Sequence, residues 1–106
     1  MKTTEVISAV ELGKMIVIDL RDAVEMHSSG WASGALHIPL IELSQKADPT
    51  SPSFDTRLAT GKPIALYSAA GARSAKGQRI LADLGYKVVN LGGFYDWAVA
   101  GGAITR

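Results

Sequence analysis

The 106-residue chain contains no cysteine, so neither a disulfide nor a thiolate metal site can form. It also lacks an excess of charge of either sign: 11 basic and 10 acidic residues leave a net charge of +1. Without a basic face there is no electrostatic footprint for nucleic acid or for an anionic membrane. Apolar runs such as Met15–Ile18 fall far short of the roughly 20 residues that span a bilayer. The opening Met1–Glu5 is polar and leads toward a helix rather than into an apolar leader core, so a soluble cytoplasmic protein is expected. His27 and His37 have no acidic cluster beside them, so no metal site is expected, and nothing in the chain implies an organic cofactor. What is present is a 47% apolar composition. At this length that suffices for a single domain with one core and no staples.

Apolar runs alternate with helical stretches. Val6-Ile7 reads as a weak first strand, and Ser8 to Glu11 has capping-box spacing for a short helix that stops near Gly13. Met15–Ile18 is β-branched and suits a strand buried on both faces. Asp22 is placed to cap a helix over Ala23 to His27, ended by Ser28-Ser29-Gly30. Ala35–Ile38 is a third strand stopped by Pro39, and Ile41 to Lys46 a short helix. Residues 48–53, with two prolines, read as loop. Phe54 to Ala59 is a further short helix. Pro63–Tyr67 is strand four, Ser74–Leu84 a helix closed by Gly85, and Lys87–Leu91 strand five. Gly92-Gly93 then breaks the chain before an aromatic-rich helix, Phe94 to Ala100. The expectation is an α/β domain, with a mostly parallel five-stranded sheet and helices on both faces.

The most informative segment is Ile64 to Ser74. A strand runs into the small residues Ala69, Ala70, Gly71 and Ala72, then Arg73 and Ser74 open a helix. Small side chains let backbone N–H groups turn inward, and the helix start adds its positive dipole end. Ligands of such sheets gather beyond the carboxyl ends of the strands, where Ser68 stands. Arginine opposes the dipole at a helix start, so Arg73 calls for an anion or a carboxylate partner. Asp19 and Arg21, just after a buried strand, read as an ion pair bracing the loop. Glu25 is either a surface residue or an arginine partner, and Trp31 is the candidate for lining the pocket entrance.

Four stretches together resemble the single-domain rhodaneses, the thiosulfate and persulfide sulfurtransferases. They are Ile18-Asp19-Leu20-Arg21 with Glu25; Gly34 to Leu40; Leu66 to Ser74; and Asn90 to Trp97. Their order and spacing cover nearly the whole chain, residues 1–106, as one rhodanese-like domain. The resemblance implies that position 68 accepts sulfane sulfur from thiosulfate or a similar donor as a cysteine persulfide. A thiol, cyanide or a thioredoxin-like protein would then take it. It also implies donor binding by the N–H groups of residues 69–74, with Arg73 favouring negative charge. The family keeps cysteine where this chain has Ser68, and often His-Ile where it has Trp31-Ala32.

A thiol, with its pKa of about 8.5, is readily drawn to thiolate by N–H groups and an arginine, and thiolate attacks sulfur. A serine hydroxyl has no comparable anion near neutral pH and needs an adjacent base. The chain as it stands is therefore expected to be inactive by the family mechanism. Serine is a near isostere of cysteine, and the intact remainder of the loop favours a cysteine-to-serine substituted enzyme over a naturally non-catalytic binding or regulatory module. Phosphatase and arsenate reductase chemistry occurs on similar sheets, but the related phosphatases resemble a loop with five residues before the arginine. Here four separate Ser68 from Arg73, a tighter ring suited to sulfur.

Overall fold

A computed structural model describes all 106 residues. Helix α1 (Thr3–Glu11) comes first, followed by β1 (Ile16–Asp19), α2 (Ala23–Ser29), β2 (Trp31–Ala32), β3 (Leu36–His37) and α3 (Leu40–Lys46). Beyond a 3-10 turn at Thr56–Leu58 come β4 (Ile64–Ser68), α4 (Ala72–Asp83), β5 (Val88–Gly93), α5 (Phe94–Val99) and β6 (Ile104–Thr105). Strands β3, β1, β4 and β5, in that order, form one parallel sheet, while β2 and β6 pair antiparallel beside it.

The sheet therefore has four strands, not five. Val6 and Ile7 are not a strand: they lie in α1, which begins at Thr3 rather than near Ser8. Both are buried, and Val6 with Ala9 and Val10, packed against the same core, forms a helical i, i+3, i+4 face that a two-residue β-branched run had imitated. Glu5 fixes the helix start by accepting the Lys2 backbone N–H at 2.8 Å. Two further expectations shift. The Phe54–Ala59 stretch tightens to the 3-10 turn, capped by Asp55, and α4 begins two residues before Ser74.

Strand alternation builds a core on each side of the sheet. Val17, Ala65 and Tyr67 face α1 and α5 with Val6, Leu91 and Trp97. Ile18, Ile64 and Leu66 face the other way, with Leu43 of α3 and Leu81 of α4. Helix α4 lies close because Gly77 has no side chain; a Cβ there would sit 2.7 Å from Leu20 Cδ1 and 3.2 Å from Leu66 Cδ1. Chain order reverses between β1, which is followed by β3 on one side, and β4, which leads to β5 on the other. That reversal opens a crevice at the carboxyl ends of β1 and β4, where Asp19 and Tyr67 are register partners. No helix is long and apolar enough to cross a membrane.

Candidate active site

Strand β4 is buried along its whole length and delivers Ser68 to that crevice. The chain then turns through Ala69 and Ala70 to Gly71, which holds a left-handed φ of +101° that side chains other than glycine rarely adopt. Helix α4 starts at once. This path wraps the loop around Ser68 Oγ, which accepts hydrogen bonds from Gly71 N at 3.2 Å and Ser74 N at 3.1 Å. The N–H groups of Ala69, Ala70, Ala72 and Arg73 donate to no protein acceptor, so the loop keeps spare donors beside a helix N-terminus. The Ser68 hydroxyl is wholly buried. It bonds to no histidine or carboxylate: His37 Nε2 meets Arg21 O at 2.6 Å, and His27 stands edge-on to Trp31. The position is built to stabilise an anion and lacks the base that would make an alkoxide.

The loop is braced from β5. Between Leu66 and Ser68 the pairing register slips, Leu66 opposing Asn90 and Ser68 opposing Gly93, which places a bulge in β5 beside the site. Gly92 turns there at φ +84°, its N–H held by Asn90 Oδ1 at 2.8 Å. Ser74 Oγ is shared between the carbonyls of Gly71 and Gly92, at 3.0 and 3.1 Å. Gly93 packs so tightly that a Cβ would lie 2.6 Å from the Ala69 carbonyl oxygen. Gly92-Gly93 is thus a fitted joint rather than a simple break before α5.

Arg73 does find its carboxylate. Its two terminal nitrogens grip both oxygens of Glu25 at 2.7 Å, and Glu25 Oε1 also accepts the Asp22 N–H at 2.9 Å. The Arg73 hydrogen bonds and that backbone N–H hold the Glu25 carboxyl down at about 2, and Glu25 in turn raises the Arg73 pKa. The guanidinium charge is therefore matched at the rim, where Arg73 lines an open depression of about 470 Å³ with Leu20, Asp22, Leu40 and Ile41.

At the carboxyl ends of β1 and β4 lies a buried brace. Arg21 donates from Nε and one terminal nitrogen to the Asp19 carboxylate at 2.8 to 3.1 Å. It also donates to Ser29 Oγ and Gly30 O, both at 2.7 Å, and its guanidinium lies 4.5 Å from the centre of the Phe94 ring. The Tyr67 hydroxyl donates to Asp19 Oδ2 and accepts from Ala32 N at 3.0 Å. Burial and the hydrogen bond to Asp19 push the Tyr67 pKa well above the usual phenol value. The network ties β1, β4, α2, β2 and α5 together at the carboxyl end of the sheet, on the face to which Tyr67 points. Removing one partner of such a pair costs about 3–5 kcal/mol, because the other charge is left buried alone.

Residues 68 to 74 thus come together as one loop, with Asp19 and Arg21 at the end of the neighbouring strand, joined to it through Tyr67. Trp31 lies instead in β2, opposite Thr105 and against His27, and no hydrogen bond of the loop reaches it. Asn90 and Tyr67 emerge as supports that were not singled out, and Glu25 takes the arginine-partner alternative rather than the surface one. Tyr67 carried a signal, since a buried phenol needs a partner and Asp19 stands at the end of the neighbouring strand.

The sequence profile of the Rhodanese-like domain matches residues 2–100. No curated protein sequence matches the chain. A solved structure from Rhodopseudomonas palustris, of a protein of unknown function described as a possible tyrosine phosphatase, is 30% identical with a TM-score of 0.86. It covers 98% of this chain and 82% of its own. An E. coli rhodanese with anions is 28% identical, TM-score 0.62, covering 77% and 89%. The human single-domain sulfurtransferase TSTD1, at 24% identity, shares the fold with a TM-score of 0.73 over 97% and 96%.

Proposed function

The chain belongs to the rhodanese-like domain family, and from that premise we propose that its loop is a sulfurtransferase pocket whose sulfur-accepting position is held by Ser68. The observation that carries this is the convergence of the Gly71 and Ser74 N–H groups on Oγ of residue 68, with no base nearby. Donors so placed favour a thiolate at that atom. With cysteine there, the thiolate attacks the outer sulfur of a thiosulfate-like donor; the S–S bond breaks and sulfite leaves with its electron pair. A persulfide remains, and a thiol or cyanide removes the outer sulfur in a second displacement. The spare N–H groups of Ala69, Ala70, Ala72 and Arg73 would bind the donor's oxyanion, and the Glu25–Arg73 pair would position the loop. The proposed setting is the cytoplasm, where thiols stay reduced.

A serine hydroxyl in the same place stays protonated and forms no persulfide, so the chain as it stands binds without turning over. Four residues between Ser68 and Arg73, rather than five, weigh against the phosphatase reading despite the description of the Rhodopseudomonas protein. Mass spectrometry tests the proposal. After incubation with thiosulfate, the Ser68→Cys chain should gain one sulfur atom, and the chain with Ser68 should gain none. A cysteine chain that stays unmodified while folded contradicts the proposal.

A further inference from the structure

The amino edge of the sheet, the length of β4 away from Ser68, carries a cavity of about 400 Å³ that the sulfurtransferase reading leaves unused. It lies between the 3-10 turn and the closing turn of α4, where β4 and β5 begin. Leu58 is buried, and Phe54, Leu84 and Tyr86 pack against the core while lining the cavity. The Tyr86 hydroxyl donates to Ala47 O at 2.5 Å, which fixes its ring as a wall. Gly61 and Gly85 line it too, and a Cβ on either would meet nothing within 4 Å, so the mouth stays open. The volume falls in the range of about 300–1,000 Å³ typical of small-molecule sites.

The only charged side chains that line it are Lys62 and Lys87, both exposed and neither in an ion pair. The carboxylates of the neighbouring loop are engaged elsewhere. Asp48 accepts the Thr50 N–H and hydroxyl at 2.9 and 2.8 Å, and Asp55 is gripped by Arg57 at 2.6 to 3.2 Å. Asp83, next to Leu84 in the chain, does not line the cavity. The closing turn of α4 brings its negative dipole end, but the carbonyls of Ile80, Leu81 and Ala82 are taken up by the N–H groups of Leu84, Gly85 and Tyr86. The N–H groups of Gly61 and Lys87 donate to no protein acceptor. Positive charge and free donors thus adjoin an apolar wall with no carboxylate to answer them. A neighbouring cavity of about 300 Å³ shares Lys62, but Glu11 is among its lining residues and balances that charge.

We propose that this cavity is a binding site for a small amphipathic carboxylate, its apolar tail against Phe54, Leu58, Leu84 and Tyr86 and its head met by Lys62, Lys87 and the free N–H groups. The site is separate from the loop at Ser68 and does not depend on the sulfurtransferase reading.

Straight-chain carboxylates serve as the probes. Decanoate titrated into the isotope-labelled chain, with Ser68 in place, should give saturable shifts of the amide resonances in residues 58–62 and 84–87. From hexanoate through octanoate to decanoate the affinity should rise about three- to fourfold for each added methylene, as burial of each in an apolar cavity requires. A chain carrying Lys62→Gln and Lys87→Gln together, both at exposed sites, should bind decanoate about three- to tenfold more weakly, the worth of two exposed ion pairs. The same chain should bind decanol, which has the tail without the charge, within about twofold of the parent. Absent or unsaturable shifts, shifts centred on another face, or an affinity that ignores tail length overturn the inference. So does undiminished decanoate binding by the double variant, or a loss of decanol binding equal to the loss of decanoate binding. Self-association that the double variant abolishes also overturns it, by assigning the cavity to a second copy.

Discussion

Glu25 holds Arg73 through two 2.7 Å contacts and accepts a backbone N–H besides, so it loses its proton far more readily when folded, near 2 against an ordinary 4.5. A carboxyl whose folded pKa is depressed stabilises fully above its unfolded value, and that contribution disappears as pH falls through the folded one. With both side chains about one-third exposed, screening reduces the contribution to on the order of 1 kcal/mol. Glu25→Gln should therefore be less stable than the parent by about that amount at neutral pH. Urea titrations should show the gap closing between pH 4.5 and 2, and a gap constant with pH would rule out this role. The need for such a partner was legible from Arg73 alone, because a cation opposes the dipole at a helix start. The carboxylate was legible only as one of two readings of Glu25, surface residue or arginine partner, since Glu25 lies 48 residues away and only the fold joins α2 to α4.

At the scale of elements, the loop keeps its shape because β5 bulges and Gly93 packs against it. Gly93 has φ −102°, a backbone that alanine adopts freely, so a substitution there acts through contact alone. Its Cβ would meet the Ala69 carbonyl at 2.6 Å, and the loop must move. In a Ser68→Cys background, Gly93→Ala should lower sulfur transfer by between about ten- and a hundredfold, as small displacements of donors do. The stability cost should be about 1–3 kcal/mol. Unchanged kinetics would mean that the joint does not set the loop geometry. The paired glycines were visible in the sequence as a break, but the bulge was not, because register depends on β4 as well as β5. For a similar reason Val6-Ile7 misled: two β-branched residues fit either period, and burial against Trp97 and Leu91 decided for the helix. The β2–β6 pair also escaped notice, being two residues on each side and closed by the far end of the chain.

Across the whole molecule, the alternation of β1 and β4 sends one set of side chains to α1 and α5 and the other to α3 and α4. Strand order then reverses where Ser68 emerges. This much of the architecture followed from buried β-branched runs separated by helical stretches, since parallel strands covered on both faces read that way. The position of the loop at the carboxyl edge was legible for the same reason. The buried brace of Asp19, Arg21 and Tyr67 was half legible, as an ion pair without its phenol. All of it serves one claim, that the pocket is a complete sulfurtransferase site in which residue 68 carries oxygen instead of sulfur. The most direct measurement is steady-state sulfur transfer from thiosulfate to cyanide by the Ser68→Cys chain beside the chain with Ser68. The account predicts turnover from the cysteine chain and none from the serine chain. A cysteine chain with native fold and no turnover would contradict it.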